Sequence, residues 1–349
     1  MSRPIRSVAA QTIHYLARPH SSIPSAPIGG ARAWTVAELG KLEDHVEALS
    51  AAELEALEPG ALEPSCAAGL PSLGPRIAAI RRILVEGRGF VLLRGLPVQR
   101  WSSAQTEGFM RAFGDALGIP GAQDDDGALV GHVRDEGGHA PGTVRQYRTN
   151  EHIMPHCDAA DAVGLLCLRA AKRGGRSRLA NSAAIFDHML VEQPELARTL
   201  FEPLAVDSRG SGGVDSFVVP PCAHHEGRLR TFFHAEYMLS AQRYPGVRPL
   251  SSSQRAAVER FTQLAISEDY SLSMELLPGD LQLVNNHSIV HARDAFEDHE
   301  LLGARRHLLR LWLSLEPTKG AREWALRGRA AATIVARLVR RKLQLRRAP

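Results

Sequence analysis

Residues Thr149 to Ser177 read TNEHIMPHCDAADAVGLLCLRAAKRGGRS. The run AVGLLCLRAA (162–171) has the length and apolar content of a buried strand, and it is followed by a turn signal at Gly174-Gly175. Just upstream stand His156, Cys157 and Asp158 in a row. On an extended segment, residues two apart project to the same side. An imidazole and a carboxylate at 156 and 158 can therefore face one metal ion, with Cys157 turned away. A Cys157–His156 nucleophile fits less well, because neighbours on a strand point apart and no thiol-activating helix start is evident. A polar strand end with an ordinary His–Asp hydrogen bond is the third reading of the same three residues.

Working outward, FVLLRGL (90–96) is a buried strand ended by Pro97, preceded by a helix with Ile77, Ile80 and Leu84 at helical spacing. Thr35–Gly60 reads as two short helices, with Ser50 placed to cap the second, and Ser102–Gly118 as an amphipathic helix. Residues 119–145 read as a long loop. From 146 onward strand signals dominate: LFEPLAVDSR, RLRTFFHAEYM, SLSMELLPGDLQLVNNHSIVHAR and RRHLLRLWLSL. One helix is inserted among them, over Ser252–Ser267. Many strands with few helices predict a mainly β fold with flanking helices, closed or double-sheeted, such as a jelly roll.

The stretch PGDLQLVNNHSIVHARDAFED offers the missing metal ligand, with His287 and His291 both in reach of the pattern. Two histidines and one carboxylate on one side of a metal leave three positions open, the arrangement of non-haem Fe(II) oxygenases. No flavin, haem or cluster motif is visible to supply electrons; a 2-oxo acid that chelates the iron and loses CO2 can. Its far carboxylate needs a cation, best a planar guanidinium. Arg305, Arg306 and Arg310 follow shortly after, and Arg310 sits between Leu309 and Leu311, where a buried arginine demands an anionic partner.

Taken in order, HCD, GGRS, PGD, NNHSIVHARDAFED and RRHLLRLWL resemble the taurine dioxygenase/clavaminate synthase superfamily of Fe(II)- and 2-oxoglutarate-dependent oxygenases. The resemblance spans Arg76 to Leu315. It implies a double-stranded β-helix core, with His156, Asp158 and His291 as iron ligands. Arg306 takes the place of the arginine on the 2-oxoglutarate carboxylate, Arg310 matches a second family arginine, and Ser177 falls where a hydroxyl often touches the same cosubstrate. Cys157 departs from the usual Thr or Ser. Asp158 retains the carboxylate that halogenating relatives lose, so oxygen transfer is the expected chemistry. The implied reaction is hydroxylation of a C–H bond of a small polar metabolite, such as an amino acid or a natural-product intermediate, with O2 as second cosubstrate and succinate and CO2 released. Desaturation, epoxidation or ring formation would use the same ligands, and a non-catalytic metabolite-binding module would share the fold. Asn150, Glu151 and Asp161, flanking the ligands, are candidate substrate contacts, and the two acids point to an amine-bearing molecule.

The chain has 349 residues, 44% hydrophobic and 23% charged, ample for a sizeable core. Its net charge of +4 hides an asymmetry: residues 321–349 hold nine basic residues and one acidic, leaving residues 1–320 at −4. We expect one oxygenase domain over 1–320 and a basic helical tail over 321–349, a candidate for docking or homo-oligomer contacts. A nucleic-acid role is not expected. Four scattered cysteines without paired spacing, and no secretory or membrane-spanning segment, fit a cytoplasmic protein.

Overall fold

The computed structural model describes residues 23–59, 70–124, 127–137, 145–209, 214–225 and 228–315. The basic tail over 321–349 lies outside them. Strands in chain order are β1 Val46–Ala48, β2 Phe90–Arg94, β3 Ile119–Gly121, β4 Val130–Val133, β5 Ile153–His156, β6 Ala162–Arg169, β7 Arg173–Gly174 and β8 Ser177–Asn181. There follow β9 Leu204–Asp207, β10 Ser216–Val219, β11 Cys222–His225, β12 Arg228–Thr231, β13 Ser271–Met274, β14 Leu281–Asn285, β15 Ile289–Arg293, β16 Phe296–Glu297 and β17 His307–Ser314.

Two sheets face each other. The larger has seven strands in the order β1-β2-β14-β6-β17-β3, with β4 also on β17; the smaller is β13-β8-β15-β5. Hairpins β9–β10 and β11–β12 lie beside them. The strand expected at 162–171 is β6, central in the larger sheet between β14 and β17.

Alternation along the strands sorts the side chains into three layers. Phe90, Leu92, Val163, Leu179, Val284, Ile289, Leu308 and Trp312 fill the space between the sheets. On the outer side of the larger sheet, Val91, Leu93, Leu283, Leu309 and Leu311 pack under the helices Gly74–Glu86 and Ser103–Leu117, which contribute Ile77, Ile80, Phe109 and Phe113. On the outer side of the smaller sheet, Ala180 and Val290 meet Phe186 and Phe261 from the helices Ser182–Glu192 and Ser252–Ile266. A fully buried phenylalanine contributes about 1.5–3 kcal/mol of transfer free energy, so these two helical covers weld the sheets into a jelly roll.

Local signals behave as their chemistry requires. Thr35, Ser50, Ser102 and Ser251 each close a capping box at a helix start. In the Pro278-Gly279-Asp280 turn, Gly279 has φ 92° and a Cβ there would lie 2.3 Å from the Leu96 carbonyl oxygen, so only glycine fits. Asp280, fully buried, takes a bidentate pair from Arg94 at 2.9 Å through both Nε and Nη2. Two expectations need correction. The supposed loop 119–145 carries β3 and β4, both paired to β17; their isolated strand signal is weak because that neighbour completes them. RLRTFFHAEYM is a strand only through Thr231, and its second half enters the helix Ala235–Ser240. Among the described residues no helix is long and apolar enough to cross a membrane.

Candidate active site

The smaller sheet brings His156 and His291 together. They are cross-strand partners at the β5–β15 pairing, with ring centroids 4.3 Å apart, and the register shifts just after His291. Asp158 follows β5 in a loop held by Asn286, whose amide oxygen accepts from Asp158 N at 3.3 Å and whose Nδ2 donates to Ala160 O at 3.0 Å. Cys157 N donates to Phe233 O at 2.7 Å, and its thiol packs among the helices outside the sheet. Burial pushes that thiol up to about 12, so Cys157 is a protonated core residue, turned away from its two neighbours.

His156, Asp158 and His291 offer ligand atoms all within 4.8 Å of one another, the one group among the described residues able to hold a metal in this way. His156 Nδ1–H donates to Met154 O at 2.9 Å, which puts the lone pair of the neutral ring on Nε2, 3.9 Å from Asp158 Oδ1. His291 Nε2 lies 3.8 Å from Asp158 Oδ2. Trp312 Nε1–H donates to that same Oδ2 at 2.9 Å, and Arg310 Nη1 stands 4.0 Å from Oδ1. Burial works against ionisation of Asp158, but Arg310, the two imidazoles and the Trp312 hydrogen bond outweigh it and hold the carboxyl down at about 2. Burial, helped by His156 and Arg310, presses His291 down to about 3. A charged carboxylate and a neutral imidazole are the protonation states a divalent metal requires.

Two cavities flank this cluster. The larger, about 310 Å³, is walled by aromatic rings, among them Tyr147, Phe217, Phe232, Tyr237 and Trp312. His234, at its edge, is stacked on Tyr237 at 3.5 Å and lies 5.0 Å from His156, ring centre to ring centre. Arg310 reaches both cavities, sandwiched between Tyr147 at 4.6 Å and Trp312 at 4.4 Å, its Nε donating to Gln123 at 2.9 Å. The anionic partner expected for it is Asp158. The smaller cavity, about 60 Å³, is lined by His156, Asp158 and His291 together with Ser177, Arg293 and Arg306. Arg306 is buried, and among the described residues its Nη1 has no hydrogen-bond partner. Gly175, at φ 71°, leaves it room, since a Cβ there would stand 3.2 Å from Arg306 Nε. Ser177 Oγ is engaged by Gln282, whose Nε2 donates to it at 2.8 Å.

The proposed substrate contacts lie elsewhere. Asn150, Glu151 and Asp161 are absent from the walls of both cavities. Asp161 accepts from Ser314 Oγ at 3.0 Å and Leu315 N at 2.9 Å and pairs with His287 Nε2 at 2.7 Å, which also takes His287 away from the metal cluster. Sequence reasoning missed Trp312, Arg293 and Asn286. Trp312 and Arg293 each sit two residues beyond a candidate already singled out, so period-two alternation could have found them; Asn286 needed the tertiary fold.

A family model for the taurine catabolism dioxygenase TauD, TfdA family matches residues 58–312. FR-33289 synthase from Streptomyces rubellomurinus is 32% identical over 281 residues, covering 76% of this chain and 82% of that protein. A taurine hydroxylase-like protein from Stachybotrys chartarum is 33% identical over 277 residues, covering 76% and 70%. Among solved structures, asparagine oxygenase in complex with Fe(II), 3-hydroxyasparagine and succinate superposes with a TM-score of 0.60 at 21% identity, over 78% of this chain and 94% of that one. The non-heme iron oxygenase OrfP with Fe and alpha-ketoglutaric acid gives 0.59 at 16% identity, over 79% and 96%. These two share the jelly-roll fold described above.

Proposed function

The chain belongs to the TauD/TfdA family of Fe(II)- and 2-oxoglutarate-dependent dioxygenases, and on that premise we propose that it hydroxylates a C–H bond of a small metabolite held in the aromatic cavity. The observation that carries this reading is the meeting of His156, Asp158 and His291 between two cavities, one aromatic and one ending on buried arginine.

The residues fit the family's metal: two imidazoles and one carboxylate, with the lone pair of His156 on Nε2, and His291 Nδ1 buried without a partner among the described residues. When bound, Fe(II) and 2-oxoglutarate supply the oxidising power drawn from O2, with succinate and CO2 as co-products. The protein's own residues do the rest. His156, Asp158 and His291 would hold the ion. Trp312 and Arg310 fix the Asp158 carboxylate in its charged form. Arg306 grips the far carboxylate of the cosubstrate, with Ser177 beside it. The aromatic walls would exclude water and hold the substrate beside His156 and Asp158.

On substrate class the cavity modifies the sequence reading. Its carboxylates are Asp158 and Asp207, and Asp207 is already bound by Arg243 at 3.0 Å, Ser240 at 2.7 Å and Tyr244 at 3.1 Å. Among the described residues no wall carboxylate is left to read an amine; a natural-product intermediate with an apolar body and a neutral polar group suits the aromatic walls better than a cationic one. The buried, unpaired thiols of Cys157, Cys167 and Cys222 support a cytoplasmic setting.

The test is succinate formation from 2-oxoglutarate with Fe(II), ascorbate and O2, alone and across a panel of small acids and natural-product intermediates. Wild type should form succinate and His156→Ala should form none. Failure of the wild type to exceed a protein-free control under every condition would sink the reading.

A further inference from the structure

We propose that Arg293 is a second arm of the cosubstrate site, so that two arginines, Arg293 and Arg306, clamp the far carboxylate of 2-oxoglutarate. The inference rests on the oxygenase reading above and extends it to a residue that reading does not use. Arg293 is only 6% exposed and Arg306 5%. Both line the small cavity that His156, Asp158 and His291 also line. Their guanidinium carbons lie over one ring, Phe296, at 4.8 Å and 5.0 Å.

Arg293 is anchored through one nitrogen. Its Nη2 donates to the carbonyl oxygens of Thr149, at 2.8 Å, and Glu151. Among the described residues its Nε and Nη1 have no hydrogen-bond partner, and neither has Nη1 of Arg306. Three buried donors on two cations around one small cavity form an arrangement that is costly when empty of anion and favourable around a carboxylate, whose two oxygens offer about four acceptor sites. Ser177 Oγ accepts from Gln282 Nε2 at 2.8 Å and so has at most its single O–H to offer the same carboxylate. Arg306 Nη1 and that one O–H leave part of the carboxylate's acceptor capacity unfilled, and the second guanidinium takes it up. The local fold supports this: the β7–β16 pairing sets Phe296 opposite Gly174, and the neighbouring Gly175 keeps a side chain away from Arg306, whose Nε would stand 3.2 Å from a Cβ there.

The clamp makes a distinction that bracing of the Thr149–Glu151 segment does not. It acts only on a ligand with a far carboxylate. Binding of 2-oxoglutarate and of 2-oxobutyrate, which has the same 2-oxo acid head but no far carboxylate, is measured by anaerobic titration of the Fe(II)-loaded full chain. Wild type, Arg293→Gln and Arg293→Lys are compared, with thermal melts to check folding. For Arg293→Gln we expect 2-oxoglutarate to bind about 10- to 100-fold more weakly, the loss typical of a charge-assisted hydrogen bond, while 2-oxobutyrate stays within about threefold. Arg293→Lys, which keeps the charge and the fold, should fall between. Unchanged 2-oxoglutarate affinity in both variants, or equal weakening of the two acids, overturns the clamp. If wild type itself binds no 2-oxoglutarate, the oxygenase reading fails with it.

Discussion

Trp312→Phe isolates one hydrogen bond at the metal cluster. Trp312 is 3% exposed and donates Nε1–H to Asp158 Oδ2 at 2.9 Å, while its ring lies 4.4 Å from the Arg310 guanidinium. Phenylalanine keeps an aromatic ring on the same strand face and in contact range of Arg310, but it removes the donor. A hydrogen bond to a charged group contributes about 1.5–3 kcal/mol, and loss of such a partner to a metal-bound carboxylate costs about 10- to 100-fold in metal affinity. Asp158 is itself 9% exposed, so water has little room to replace the indole. We therefore expect Trp312→Phe to remain folded and to bind Fe(II) about 10- to 100-fold more weakly than wild type in anaerobic competition titrations. A dissociation constant within twofold of wild type would refute the claim that Trp312 orients the ligand.

Other expectations follow from the same geometry. Arg94→Met should cost about 3–5 kcal/mol in urea unfolding, because it strands the fully buried Asp280 without its bidentate partner; a loss below about 1 kcal/mol would show the pair to be dispensable. Gly174→Ala should weaken 2-oxoglutarate binding and lower the melting temperature, since a Cβ at φ 76° would stand 2.4 Å from the Ala295 carbonyl oxygen; wild-type behaviour in both would count against the close approach. In the metal-free protein, His291 is held down at about 3 and His307 at about 4, the latter by burial together with His132 and Arg169. The unfolded chain then binds more protons than the folded one below the free-histidine value of about 6.5. Stability should fall as pH drops from about 6.5 toward 4, by about 1–3 kcal/mol per pH unit, and chemical denaturation at pH 7, 6 and 5 would contradict this if it were flat.

How far the sequence carried can be judged residue by residue. His156, Cys157 and Asp158 were separable because strand alternation is strictly periodic, and the same period set Arg306 and Arg310 on one face and Leu309 and Leu311 on the other. Capping serines marked helix starts for a local reason, a side chain meeting its own helix. Proximity in sequence failed where the chain turns. Asp161 is three residues from Asp158, yet it bonds to Ser314 and Leu315, more than 150 positions away. The strands at Ile119–Gly121 and Val130–Val133 were hidden because their pairing partner, His307–Ser314, is equally remote. Alternation from His291 marks the strand face of Arg293, but that its Nε and Nη1 lack a partner among the described residues depends on packing between distant segments.

The central claim is that His156, Asp158 and His291 together hold one Fe(II). Equilibrium dialysis of the metal-free chain against Fe(II) without oxygen tests it directly. The account predicts one ion per chain for wild type and none at the same free concentration for His156→Ala or His291→Ala. Full iron loading in either variant would contradict it.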